Sequence, residues 1–139
     1  MLNKFQKQKL EKYFGKEPVV LVYLFGSQAE EKGTPLSDYD FAVLFEENLS
    51  RRERFQLRLK YITEVGKIFG SDRVEFLDLA EAPIQFRYSA FRPRKEIFIK
   101  DERERVKFEH QTMEEYFERL YYLKRHSLTS LKNIAREGL

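Results

Sequence analysis

Seven consecutive apolar or aromatic residues, Val19-Val20-Leu21-Val22-Tyr23-Leu24-Phe25, stop abruptly at Gly26-Ser27. The run is too short for a globular helix, and its β-branched and aromatic content fits a strand covered on both faces. A chain with such a strand must supply partner strands for its edges and other elements for both of its faces. Asp38-Tyr39-Asp40-Phe41-Ala42-Val43-Leu44-Phe45 reads as a second strand, polar at its entry and apolar further on. Residues Arg73–Leu79 and Glu96–Ile99 read as a third and a fourth.

Helical patterns alternate with these runs. Leu2–Phe14 places Phe5, Leu10, Tyr13 and Phe14 roughly on one side and is ended by Gly15 and Pro18. Ser50-Arg51-Arg52-Glu53 has the form of a capping box. It opens an amphipathic helix of about five turns that carries Phe55, Leu59, Ile62, Val65 and Phe69 up to Gly70. Ala80–Tyr88 predicts a short helix with Pro83 near its start. The outcome is an α+β, or mixed α/β, fold in one domain over residues 1–139, with a core over about 1–100 and a C-terminal helical region over 101–137.

That last region is too long for the globule. From Asp101 the stripe Val106, Met113, Phe117, Leu120, Leu128, Leu131 and Ile134 runs to about Glu137. One straight helix would be ~55 Å long, against a radius of gyration of ~14 Å for a compact chain of this size. Either the helix breaks near Lys124-Arg125-His126-Ser127 or it leaves the core. Both outcomes expose some of Tyr116, Tyr121, Tyr122 and Leu128 and suggest an interface; a bent helix that buries them all is the competing outcome.

Charge and composition narrow the function. The 26 Lys and Arg nearly balance 23 Asp and Glu, so there is no single large basic field and direct nucleic-acid binding is not expected. The C-terminal part from Arg87 holds 13 basic and 9 acidic residues, which suits an acidic partner. No apolar run reaches the ~20 residues of a membrane span, and the first residues lack the apolar stretch of a signal peptide. A soluble, cytoplasmic protein with no membrane association is therefore expected. With no Cys, any metal would be held by oxygen or by His110 and His126, and these two, sixteen apart, read as surface residues of the last helix.

Three features point to chemistry. A strand that ends in Gly26-Ser27 and leads into a helical turn offers free N–H groups and a hydroxyl to phosphate oxygens, although a plain turn with a Ser cap has the same form. Asp38 and Asp40, two apart in a strand, share a face. Their mutual repulsion is relieved by a hard divalent cation such as Mg²⁺ that also accepts phosphate oxygens; a solvated strand entry is the simpler alternative. Glu75 or Asp78 adds a third carboxylate, but residues three apart on a regular strand point to opposite faces, so at most one of them joins the site. Three such donors could hold two ions at an in-line displacement.

Leu24-Phe25-Gly26-Ser27, ten residues, then Asp38-Tyr39-Asp40-Phe41-Ala42-Val43 closely resembles the signature of minimal nucleotidyltransferases of the DNA polymerase beta superfamily. The resemblance continues through Val74–Pro83 and Glu109–Tyr116, where MntA-type antitoxins of HEPN/MNT toxin–antitoxin pairs carry similar stretches. It implies a nucleotidyltransferase fold, a twisted mixed β-sheet flanked by helices. It also implies ATP as substrate, Mg²⁺ in two sites, and transfer of AMP to a tyrosine hydroxyl of a paired HEPN ribonuclease toxin. By the same resemblance Gly26, Ser27 and Ser37 bind nucleotide, Asp38 and Asp40 are catalytic metal ligands, and Glu75 stands where the third carboxylate is expected. Many relatives have Arg-Gly shortly after the Ser, whereas this chain has Glu30-Glu31 and its glycine at Gly33, with Lys32 as the nearest cation. Two other functions stay open: an antitoxin with an idle site that silences its partner by binding, and a transferase acting on a small molecule or an RNA end.

Overall fold

The computed structural model of the chain describes residues 2–25, 39–90 and 94–136. Its elements run α1 (Lys4–Phe14), β1 (Val19–Phe25), β2 (Tyr39–Phe45), α2 (Arg51–Phe69), β3 (Val74–Asp78), α3 (Ile84–Ser89), β4 (Arg94–Ile99) and α4 (Glu102–Arg136). The strands form one mixed sheet in the order β3-β2-β1-β4. β1 is antiparallel to both β2 and β4, and β2 is parallel to β3, with α2 as the crossover. The apolar run that makes β1 thus takes an inner position, and Val19, Leu21, Val22, Tyr23 and Leu24 are fully buried.

The larger core lies under α1 and α2. Val22, Leu24, Phe41, Val43, Phe45, Val74, Phe76 and Ile97 from the sheet meet Leu10, Phe14, Tyr61 and Val65 from the two helices. Aromatic rings dominate the contact: Phe41 stacks on Phe76 at 4.9 Å, and Phe14 meets Tyr61 edge-on at 5.2 Å. The opposite face is thinner, built from Leu21, Tyr23, Ala42, Leu79 and Ala90 with Phe108 of α4 packed against them.

Local chemistry sets the helix ends. Asn3 forms the α1 cap with Gln6, so this helix begins two residues later than its apolar pattern predicts. The Ser50 hydroxyl accepts from the Glu53 N–H at 3.1 Å, and Gly70 closes α2 in the left-handed region at φ 65°, where a side chain would be strained. Inside α2, Gly66 is required for another reason: a Cβ there would sit 2.7 Å from the Ser71 carbonyl oxygen. α3 starts at Ile84 with Pro83 outside it, four residues later than expected. The Asp78 carboxylate has already turned the chain by accepting from the Ala80 N–H at 3.0 Å.

Two expectations about the apolar stripes fail, those for α1 and α2 and that for the docked side of α4. Phe5, Phe55 and Leu59 point to solvent, and α2 uses Tyr61 and Val65 as its fully buried residues. Of the two outcomes expected for the C-terminal region, the second holds: α4 does not break near Ser127 but is one helix of 35 residues whose distal part leaves the core. Its stripe does not face the sheet: Val106 and Met113 are exposed, Phe117 reaches only Tyr88 of α3 with one edge, and the side against the sheet carries Arg105, Phe108, Glu109 and Thr112. The reason is Tyr23. Its ring is fully buried and its hydroxyl needs an acceptor, which Glu109 supplies at 2.8 Å while Arg105 holds the other Glu109 oxygen at 2.9 Å. No helix among the described residues is long and apolar enough to cross a membrane.

Candidate active site

The parallel pairing of β2 with β3 sets Asp40 directly beside Glu75. Neighbouring strands are ~4.8 Å apart, so two carboxylates on adjacent strands and one face share a few ångströms of space. The face is the thin one, because Asp40 alternates with Phe41 of the large core and follows the side of Ala42, and Glu75 follows that of Leu77. On its other edge Asp40 is paired with Phe25, the last residue of β1, immediately before Gly26 in the chain. The end of β1, Asp40 and Glu75 therefore stand abreast at one end of the sheet.

A cavity of about 220 Å³ opens at this point, lined by Asp40, Phe41, Glu75, Phe76, Leu77 and Phe86. Its floor is the β2–β3 pair and its wall is the half-exposed Phe86 ring from α3. Asp40 is half-buried and Glu75 exposed, so the pair is open to a ligand from solvent. Gly26, Ser27, Ser37 and Asp38, together with Glu30, Glu31, Lys32 and Gly33, lie outside the described residues.

Asp78 belongs elsewhere. It pairs in register with Val43, on the large-core face, and is 2% exposed. Its Oδ2 accepts from Arg54 Nε at 2.7 Å, and Arg54 also reaches Glu81 at 3.2 Å. The hydrogen bond to Asp78, reinforced by both acidic charges, pushes Arg54 further above its ordinary value. This is a structural ion pair that anchors α2 to the end of β3. Of the two candidate third carboxylates, Glu75 is the one on the face of Asp40.

Among the described residues no three metal-ligating side chains gather in one place. The two that do meet, Asp40 and Glu75, are both oxygen donors with negative charge, the donor chemistry of a hard cation such as Mg²⁺. His110 and His126 are on exposed turns of α4, His110 beside Glu114 and His126 stacked on Tyr122, and among the described residues neither joins a cluster of three metal-ligating side chains.

A mixed sheet with helices on both faces, with acidic residues side by side on the inner strand β2 and the edge strand β3, is an α/β arrangement suited to handling phosphate groups. The chain belongs to the family described as Polymerase beta, Nucleotidyltransferase, whose model matches residues 8–103. Similar solved structures extend further along the chain. A toxin–antitoxin crystal structure with AMP-PNP is 24% identical with a TM-score of 0.66, over 94% of this chain and 99% of that one. The tri-AMPylated Shewanella oneidensis HEPN toxin in complex with MNT antitoxin contains a chain 21% identical with a TM-score of 0.63, again over 94% and 99%. A structure described as a minimal nucleotidyltransferase is 22% identical with a TM-score of 0.54, over 66% of this chain and 89% of that one. None of the curated proteins matches the chain.

Proposed function

We propose that this protein is an antitoxin-type adenylyltransferase that moves AMP from ATP to a tyrosine hydroxyl of a HEPN-type partner. The observation that carries the reading is the register: Asp40 lies between the end of β1, which leads into Gly26-Ser27, and Glu75 of β3. The similarity to a toxin–antitoxin structure with AMP-PNP and to a complex with an AMPylated toxin supports nucleotide as substrate and protein as acceptor.

In the reaction the acceptor oxygen attacks the α-phosphorus of ATP, its bond to phosphorus forms, the bond to the bridging oxygen breaks, and pyrophosphate leaves. The hydroxyl proton must go to a base, a role we assign to the exposed Glu75 carboxylate, which lines the cavity. Asp38, Asp40 and Glu75 are the residues that would hold Mg²⁺, which when bound neutralises phosphate charge. Gly26, Ser27 and Ser37 are assigned to the triphosphate, through free N–H groups and hydroxyls. Phe86 walls the cavity and excludes water from one side of it.

The test is labelled ATP with the HEPN-domain protein of the same genome. Label should appear on the partner with the wild-type chain and vanish with Asp38→Asn plus Asp40→Asn. Label that persists in the double variant removes this mechanism. If no label appears with the wild type and the partner is silenced all the same, inhibition by binding alone takes its place; the exposed α4 favours that second reading.

A further inference from the structure

Past Tyr116 every described residue of α4 is exposed, so residues 117–136 form an arm about 30 Å long that is anchored at its base, where Phe117 meets Tyr88 of α3 edge-on at 5.9 Å. A solvated arm would be polar all round. This one carries Phe117, Leu120, Tyr121, Leu128 and Leu131 in one row, with Leu128 and Leu131 about 60% exposed. Along one edge of the row Arg125, Lys132 and Arg136 follow at i, i+7 and i+11, a single helix flank. Over the arm five cations stand against one carboxylate, Glu118, whereas the docked half, residues 102–116, holds three Lys and Arg against five Glu.

We infer that the distal half of α4 is the docking arm for the acceptor protein, and that it grips an apolar groove edged with carboxylates. The inference rests on the partner-directed reading above and names the surface that serves it. Three observations select this occupant. A second copy would bring the same cationic flank against the first, a like-charge contact that opposes self-pairing. The nucleotidyltransferase family model ends at residue 103, within the first turn of α4, so the catalytic fold is complete without the arm. The toxin–antitoxin structures match 94% of this chain, too much to omit the arm, while the minimal nucleotidyltransferase matches 66% and does not require it.

The arm is also joined to the cavity. Phe86 walls the carboxylate pair, and the next residues of α3 hold α4: Arg87 meets Glu115 at 3.2 Å, and the Tyr88 and Tyr116 rings stack at 4.0 Å, parallel within 1°. A protein seated along the arm is thereby brought up to the end of the sheet where Asp40 and Glu75 lie.

Binding measured by titration calorimetry without nucleotide separates this inference from the transfer reaction. The probe is the HEPN-domain protein of the same genome. Leu128→Asp with Leu131→Asp should weaken the complex about 30-fold or more, the scale of central interface residues. Arg125→Glu with Lys132→Glu and Arg136→Glu should weaken it and flatten its salt dependence. Asp40→Asn should leave affinity unchanged while abolishing label transfer, so a failed transferase reading and a failed docking reading give different results. Circular dichroism should show full helix content in every variant. Wild-type affinity in both arm variants overturns the inference. So does a wild-type dimer in sedimentation that Leu128→Asp dissolves, or binding to vesicles of phosphatidylserine and phosphatidylcholine that the charge reversal abolishes.

Discussion

On the face covered by α1 and α2, the sheet meets rings from two helices in an interlocked layer. On the face covered by α3 and α4, it meets a small cluster, a tyrosine hydroxyl that needs an acceptor, and the Asp40–Glu75 pair. The contrast separates two tasks. Apolar burial is non-directional and tolerates any close packing, so one face can carry most of the stability. Adjacent carboxylates cost stability unless a cation or a ligand compensates them, and they are kept where packing is thin and solvent can enter.

Substitutions on the two faces should therefore have effects of different kind. Phe76→Ala, beneath Phe41 and Tyr61, is expected to cost ~3–5 kcal/mol in urea unfolding, the usual price of an emptied aromatic site. A loss below ~1 kcal/mol would mean that this face is not the main support. Asp40→Asn should lower AMP transfer by about 100-fold or more with little change in melting temperature, because the substitution is isosteric and the residue lies at the rim of the cavity, outside the apolar core. Unfolding of that variant at moderate temperature would show instead that Asp40 holds the fold.

Smaller effects refine the contrast. Tyr23→Phe keeps the buried ring and removes the hydrogen bond to Glu109, so about 1 kcal/mol of stability should be lost. Glu109→Gln, which retains an acceptor, should lose less, and a larger loss would identify charge as the important part. Phe55→Ala lies on the solvent side of α2 and should change stability by no more than ~0.5 kcal/mol, as thermal melts can verify.

These same residues show what could be read beforehand. The run Val19–Phe25 and the spacing from Gly26-Ser27 to Asp38 and Asp40 are local, and they led to the inner strand and to the family that the chain belongs to. Alternation alone separated Glu75 from Asp78, since three residues apart in a strand means opposite faces. Which of the two lies with Asp40 depends on the register of β2 against β3, a non-local fact, and on Arg54, twenty-four residues away, holding Asp78. The stripes misled for a related reason. An apolar row predicts which side of a helix avoids water, but not whether the fold has surface left to cover it. Phe55 and Leu59 found none, while the Tyr23 hydroxyl, unseen in any pattern along α4, turned that helix so that Glu109 faces inward.

The unbroken course of α4 has a mechanical result. An uninterrupted helix acts as a lever. A tilt of about 10° at its docked end swings the tip of the 20-residue arm through about 5 Å. Under the docking and transfer proposed above, a partner held at that tip would present hydroxyls spread over roughly that distance to the same pair of carboxylates without releasing its grip.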